Sequence, residues 1–303
     1  MVPPPYRRPR AVPVIGSALV LLLAAIGYVV FGGPGHSVIP PAPPPPPGCQ
    51  AGTGNTVIPL ATSQAGIAAT IAGIAARHRL PQRALTIALA AALQESQLQN
   101  LDYGDRDSVG VFQQRPSQGW GTTAELEDPV YATTKFFAAL VKVRGYTTMR
   151  VDKAAQDVQH SADGAAYAQW VGIATLLAGY FTGTSPAEVS CWYTPAGQGV
   201  RADLTGALKQ LTQTFGPAGK NAVLVGVTTD RSAKKKERTT AVVHVQRGGA
   251  WTVASWLVAH AQQYGISQIR YAGYVWNAAN GSMGWQRASR SASPVPRGSI
   301  VAA

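Results

Sequence analysis

The chain begins with an arginine-flanked apolar segment that a proline-rich stretch separates from the rest. Arg7, Arg8 and Arg10 precede an uncharged apolar run over about residues 11–31. Roughly 20 such residues can cross a bilayer as a helix, and basic residues on the short leading side keep that end cytoplasmic. We therefore expect residues 1–32 to form a cytoplasmic tip and one transmembrane helix, with the bulk of the chain extracytoplasmic. Secretion after cleavage of a signal peptide is the alternative.

A linker over residues 33–48 leads to the first of two cysteines. Proline dominates positions 40–47, which indicates an extended polyproline II spacer. Cys49 and Cys191 are the only cysteines of the chain. Because two cysteines in an exported protein usually pair, we expect a disulfide that joins the two ends of one domain, residues 49–191.

The segment after Ser63 has a helical pattern with one polar interruption. The stretch from Leu85 to Leu93 is apolar on nearly every face, which is typical of a buried central helix, and it ends in Gln94-Glu95-Ser96. A Gly- and Asp-rich segment over 100–116 indicates a loop and a short hairpin. Helical patterns resume after it and continue to about residue 181. The central domain is therefore expected to be all-α.

Glu95 is the residue of this domain best suited to acid catalysis. Burial at the end of an apolar helix disfavours the carboxylate anion, and the negative end of the helix dipole acts in the same direction. Both effects raise the pKa. Cleavage of a glycosidic bond requires such an acid, because a proton must be delivered to the leaving oxygen.

The residues around Glu95 resemble the catalytic motif of soluble lytic transglycosylases and goose-type lysozymes. The matching residues are Glu95-Ser96, a polar loop, and then Ser108-x-Gly110-x-Phe112-Gln113-x-x-Pro116. The resemblance covers roughly residues 60–190 and implies a lysozyme-like fold in which Glu95 is general acid and then general base. It also implies that Ser108, Gly110 and Gln113 line the sugar groove.

Two features of this region depart from the family motif or extend it. The family has a later Ala-Tyr-Asn-x-Gly segment whose Tyr supports the catalytic Glu, and no such segment is evident here. Gln159 and His160 are the candidate substitutes. Among the aromatic residues, Trp120 in a Gly-Trp-Gly turn is the one we expect to stack on a sugar face.

The acidic residues of the polar loop leave the reaction outcome open. Hydrolysis usually needs a second carboxylate to activate water, whereas lytic cleavage uses the sugar's own 6-hydroxyl. Asp102, Asp105 and Asp107 are candidates for that carboxylate. Asp also bends and caps loops, and we expect this structural role for at least two of the three.

The remainder of the chain is basic and predicts a small α+β domain. Residues 197–303 hold 13 basic and three acidic side chains in a chain whose net charge is +12. We expect a connector helix within 192–216, an α+β domain over 217–286 and a disordered tail over 287–303. The expected fold class is therefore multi-domain: an all-α lysozyme-like domain, then a small α+β domain, with one N-terminal transmembrane helix.

The aromatic-rich stretch from Trp251 to Trp285 resembles a degenerate domain related to zinc D-Ala-D-Ala carboxypeptidases. Its histidines, His244 and His260, match no zinc signature together with the nearby acids, so we expect no metal and no cofactor. The basic turn at 234–236 suits anionic wall polymers rather than nucleic acid, because this region is expected outside the cell.

The function expected from these patterns is cleavage of peptidoglycan glycan strands at the cell wall. The alternative is a non-catalytic protein that binds peptidoglycan or a wall polymer through a vestigial lysozyme-like site. A membrane transporter is excluded by the single hydrophobic span.

Overall fold

A computed structural model describes most of the chain after the proline-rich linker. The described residues are 45–159, 165–193, 202–220, 222–230, 240–289, 291 and 294–303. The expected cytoplasmic tip and membrane span at 1–32 lie outside them. Within the described residues, none of the helices has the length and apolar character needed to cross a membrane. The expected architecture with a transmembrane helix is therefore not the one that the structure shows.

Helices dominate the first half of the described chain. The α-helices are α1 (Thr62–Arg77), α2 (Gln82–Ser96), α3 (Thr123–Leu126), α4 (Pro129–Leu140), α5 (Val151–Gln159), α6 (Ala165–Ala168), α7 (Val171–Thr182), α8 (Leu204–Phe215), α9 (Ala250–Ala259) and α10 (Ala261–Tyr264). Every residue of α2 from Ala84 to Leu93 is buried, and the helix packs against α1, α5 and α7. The prediction of a buried central helix that ends at Ser96 is confirmed.

A three-stranded antiparallel sheet joins the two ends of this helical region. Its strands are β1 (Gly48–Ala51), β2 (Ile58–Leu60) and β3 (Val189–Trp192), in the order β2-β1-β3. Cys49 lies directly opposite Cys191 in the β1–β3 pair, and the two form the expected disulfide. The prediction of an all-α central domain is wrong. Strands of three or four residues carry too short an alternation to be recognised, and the partners β1 and β3 lie at opposite ends of the helical region in sequence.

The second half of the chain contains a six-stranded antiparallel sheet together with α8, α9 and α10. Its strands are β4 (Leu224–Asp230), β5 (Thr240–Val245), β6 (Gln268–Tyr271), β7 (Tyr274–Asn277), β8 (Gln286–Arg287) and β9 (Ser299–Ala302), in the order β4-β5-β9-β6-β7-β8. The prediction of a disordered tail over 287–303 is wrong, because β9 is a central strand between β5 and β6. A strand of four residues after a Pro- and Ser-rich segment gives little local signal.

The two halves are joined by hydrogen bonds across their boundary. The Trp276 indole N–H donates to the Cys191 carbonyl oxygen at 3.0 Å, and the Tyr193 hydroxyl donates to the Ala261 carbonyl oxygen at 2.9 Å. Helix α9 packs against α1 and α7 on one side and against β6 and β9 on the other. Residues 45–303 therefore form one compact unit with a continuous apolar core.

Candidate active site around Glu95

Glu95 lies one residue before the end of the central helix. The chain leaves α2 through two residues with left-handed backbone, Gln97 at φ 53° and Leu98 at φ 59°. Leu98 is buried, and its backbone N–H donates to the carbonyl oxygen of Ala92. Backbone hydrogen bonds and packing therefore hold the last turn of α2, and this fixes the position of Glu95.

The carboxyl group of Glu95 is partly buried and contacts two polar side chains. The Tyr167 hydroxyl donates to Oε1 of Glu95 at 2.5 Å, and the side chain of Gln159 forms a second hydrogen bond with Glu95. Burial raises the pKa of Glu95, and the bonds from Tyr167 and Gln159 lower it by less, so the pKa stays above its ordinary value. The direction agrees with the expectation for a general acid.

Tyr167 occupies the supporting position for which the sequence suggested Gln159 or His160. Gln159 contacts Glu95 as well, and its Nε2 also donates to the carbonyl oxygen of Phe112 at 2.7 Å. His160 lies outside the described residues. Sequence reasoning misses Tyr167 because it stands in Ala-Ala-Tyr-Ala, on the one-turn helix α6, without the Asn and Gly of the family motif. The Ala-Tyr pair is the signal that could have found it.

The loop after Glu95 is pinned to the end of α2 by Ser96. The buried Ser96 hydroxyl donates to the carbonyl oxygen of Val111 at 2.7 Å. The next residue, Phe112, is fully buried and stacks on Phe136 with ring centroids 4.5 Å apart. The turn that carries the expected groove residues is therefore anchored by one polar and one aromatic contact beside Glu95.

The residues expected to line the sugar groove have structural partners within the loop. Ser108 is buried. Gly110 has φ +77°, and a Cβ there would lie 2.2 Å from the carbonyl oxygen of Leu126. The side-chain N–H groups of Gln113 donate to the carbonyl oxygens of Tyr103 at 3.1 Å and Gly110 at 3.3 Å. These contacts shape the loop.

Trp120 lies farther along the same polar segment. Its side chain is half-buried and packs against the apolar core. Its carbonyl oxygen accepts a hydrogen bond from the Tyr131 hydroxyl at 3.5 Å. Part of the indole thus packs against the core, and the exposed remainder is available to a ligand.

The three candidate carboxylates of the loop differ in their surroundings. Asp107 accepts hydrogen bonds from Nε of Arg115 at 2.7 Å and from the Ser117 backbone N–H at 2.7 Å. These two bonds, first of all that from Arg115, hold the pKa of Asp107 well below its usual range. Asp107 therefore closes the loop, as expected of an Asp in a turn. Asp102 and Asp105 are exposed.

The histidines of the second half are not arranged as metal ligands. Nδ1 of His244 lies 2.8 Å from the Ser299 hydroxyl, between neighbouring strands β5 and β9. His260 lies between α9 and α10 and stacks on Trp256 with ring centroids 4.0 Å apart. In the part of the chain that the structure describes, no group of three His, Cys, Asp or Glu side chains could hold a metal ion. The basic turn at 234–236 lies outside that part.

Comparison with known proteins adds no assignment to this site. Neither a scan against protein-family models nor a search of curated proteins finds a match for the chain.

Proposed function

We propose that the protein cleaves the glycan strands of peptidoglycan, with Glu95 as general acid and then general base. The observation that carries the proposal is the environment of Glu95: a partly buried carboxyl group at the end of α2, with a raised pKa and a hydrogen bond from Tyr167. A raised pKa keeps more of the carboxyl protonated near neutral pH, as proton transfer to a leaving oxygen requires.

Each contact of Glu95 has a place in such a reaction. Glu95 gives its proton to the glycosidic oxygen as the bond to the sugar C1 breaks. The Tyr167 hydroxyl and the Gln159 amide then donate to the carboxylate that forms and stabilise its charge. Burial keeps the carboxyl protonated before the transfer, because it raises the pKa by more than these two bonds lower it. The carboxylate finally takes a proton from the attacking hydroxyl, either water or the 6-hydroxyl of the same sugar, and is ready for the next cycle.

The choice of peptidoglycan as substrate comes from the motif resemblance and from the compartment. The Glu95-Ser96 pair and the Ser108–Gln113 loop resemble those of enzymes that cut this glycan, and the Cys49–Cys191 disulfide suits an oxidising, extracytoplasmic location. Asp107 is engaged by Arg115, so a second catalytic carboxylate would be Asp102 or Asp105.

The test is incubation of the purified protein with peptidoglycan, followed by mass spectrometry of the products. Wild type is compared with Glu95→Gln and with Glu188→Gln, because Glu188 is a second partly buried glutamate whose pKa burial raises. We expect release of soluble muropeptides by wild type and Glu188→Gln, and loss of release in Glu95→Gln. Products with 1,6-anhydro ends would assign a lytic transglycosylase. Products with reducing ends would instead assign a muramidase.

A negative result distinguishes the alternative function. If several types of wall release no products while the protein still sediments with them, the cleavage proposal is wrong. The protein would then be a binding protein for peptidoglycan or for an anionic wall polymer. Equal cleavage by wild type and Glu95→Gln would also remove Glu95 from its proposed role.

A further inference from the structure

The turn that carries Tyr167 depends on contacts from outside to hold it in place. Tyr167 lies on α6, a helix of a single turn between Ala165 and Ala168. A helix this short forms few hydrogen bonds of its own, so tertiary contacts determine where it lies. Packing of the buried Tyr167 ring is one such contact. A cluster of polar side chains at the end of α2 supplies another.

The acceptor of this cluster is Gln94, the residue just before Glu95. Its Oε1 accepts hydrogen bonds from the Trp170 indole N–H at 2.8 Å and from Nε2 of Gln169 at 3.3 Å. Because an indole N–H can only donate, the atom of the Gln94 amide that faces it must be the oxygen. Gln94 and Trp170 are both half-buried, so their hydrogen bond is partly shielded from water.

Both donors to Gln94 are bonded in turn to the backbone around Tyr167. The Trp170 backbone N–H donates to the carbonyl oxygen of Tyr167 at 3.1 Å. Nε2 of Gln169 also donates to the carbonyl oxygen of Ala166 at 3.1 Å. The two peptide groups that flank the Cα of Tyr167 are therefore each linked to Gln94 through one residue.

We propose that Gln94 is a positioning residue that holds the Tyr167 turn against the end of α2, a role that rests on the proposed function of Glu95 as the acid. The influences on the pKa of Glu95 are burial and the hydrogen bonds from Tyr167 and Gln159, and Gln94 is not among them. Gln94 thus acts on the acid through Tyr167. Without the Gln94 oxygen, the turn loses its attachment to α2, and the Tyr167 hydroxyl stabilises the Glu95 anion less.

The test is a direct measurement of the Glu95 pKa by NMR of protein with isotope-labelled glutamate carboxyl groups, with Glu95→Gln to assign the signal. Gln94→Met removes the acceptor at nearly the same side-chain length, and Trp170→Phe removes the indole donor. Because the Tyr167 bond lowers the pKa of Glu95, we expect both variants to raise that pKa. The alkaline limb of cleavage should move up with it, and kcat/KM should fall about 2- to 10-fold, as for the weakening of one hydrogen bond.

Two further variants separate this role from a general effect on the helix end. Gln99→Met is the matched control, because Gln99 is exposed and lies just beyond the end of α2. It should leave both the Glu95 pKa and the cleavage rate unchanged. In a Tyr167→Phe background, Gln94→Met should cause no further rise of the pKa, because the hydrogen bond that it weakens is already lost.

The outcomes distinguish failure of this role from failure of the proposed function. An unchanged Glu95 pKa in Gln94→Met would overturn the proposal, since packing alone would then hold Tyr167. So would an equal rise of the pKa in the Tyr167→Phe background. If Gln94→Met does not fold, Trp170→Phe decides by the same two measurements. The NMR titration needs no substrate, so it decides whether Gln94 positions Tyr167 even if the wild type cleaves no glycan.

Discussion

The hydroxyl of Tyr167 donates to Oε1 of Glu95 at 2.5 Å, although the two residues are 72 positions apart in the chain. A second contact lies beside it, from the Trp170 indole N–H to Oε1 of Gln94 at 2.8 Å. The segment that begins at α6 is therefore attached to the last turn of α2 on both sides of the carboxyl group. In the proposed reaction, Tyr167 stabilises the anion of Glu95 while burial destabilises it.

Replacement of Tyr167 by phenylalanine should shift the pH dependence of cleavage upward. The Tyr167 hydrogen bond lowers the pKa of Glu95, so its loss raises that pKa further. A general acid works only while protonated, so the alkaline limb of kcat/KM against pH should move to higher pH. The maximal rate should fall by about 10- to 100-fold, because one hydrogen bond to the forming carboxylate is lost.

Tyr103→Phe is the control for this change, since the Tyr103 side chain is 68% exposed on the polar loop. It should leave both the rate and the alkaline limb unchanged. If Tyr167→Phe lowered the rate but left the alkaline limb of the pH profile in place, Tyr167 would act only by packing.

Replacement of Glu95 by glutamine should remove the part of the wild-type stability that is lost as pH rises above the ordinary pKa of Glu. The folded protein keeps the Glu95 proton above 4.5, the ordinary pKa of Glu, whereas the unfolded chain releases it near that value. Between the two pKa values the folded state binds more protons, so this group makes the free energy of unfolding fall as pH rises. Urea unfolding should therefore show Glu95→Gln gaining stability relative to wild type between pH 4 and pH 8. A constant difference across this range would contradict the raised pKa.

The elements that the sequence predicts are those whose signals are local. The apolar run that becomes α2 lies within a few consecutive residues, and so does the Gly- and Asp-rich stretch that becomes the loop after it. The same holds for Glu95, whose raised pKa follows from its place at the end of a buried helix. Local patterns of this kind survive folding because neighbouring residues determine them.

The features that escape prediction depend on residues far apart in sequence. Strands β1 and β3 pair across the whole helical region, and β9 enters the sheet from the end of the chain. Tyr167 reaches Glu95 only when α6 packs beside α2. Such contacts leave no period in the sequence, so a four-residue strand or a one-turn helix appears as loop.

Replacement of Asp107 by asparagine should impair cleavage only modestly. Asp107 holds Arg115 and the Ser117 backbone N–H, and asparagine keeps one acceptor but loses the charge that favours Arg115. The loop should loosen, so KM should rise, while kcat should fall far less than the roughly 100- to 10,000-fold that loss of a general base gives. Steady-state kinetics on a soluble glycan fragment measures both constants. A collapse of kcat comparable to that of Glu95→Gln would make Asp107 a catalytic carboxylate instead.

Removal of the disulfide should lower stability without changing the position of Glu95. The pair Cys49 and Cys191 closes a loop across 142 residues and lies in the β1–β3 register. The double variant Cys49→Ser/Cys191→Ser should lose about 2–5 kcal/mol of unfolding free energy in urea titrations. Dithiothreitol should bring wild type to the same value and leave the variant unchanged. If dithiothreitol also lowered the stability of the variant, the reductant would be acting on something other than the Cys49–Cys191 disulfide.

Alanine at Gly110 should be more damaging than alanine at Gly119, although both residues have nearly the same backbone. Their φ angles are +77° and +79°, so both substitutions carry left-handed strain of about 1–2 kcal/mol. Only at Gly110 would the new Cβ also lie 2.2 Å from the carbonyl oxygen of Leu126, whereas nothing lies within 4 Å at Gly119. Urea unfolding should therefore show a clearly larger loss for Gly110→Ala. Cleavage should fall with it, because the Gly110 turn is pinned beside Glu95 by Ser96. Equal losses for the two variants would mean that the loop yields to the clash and that Gly110 matters for its φ angle alone.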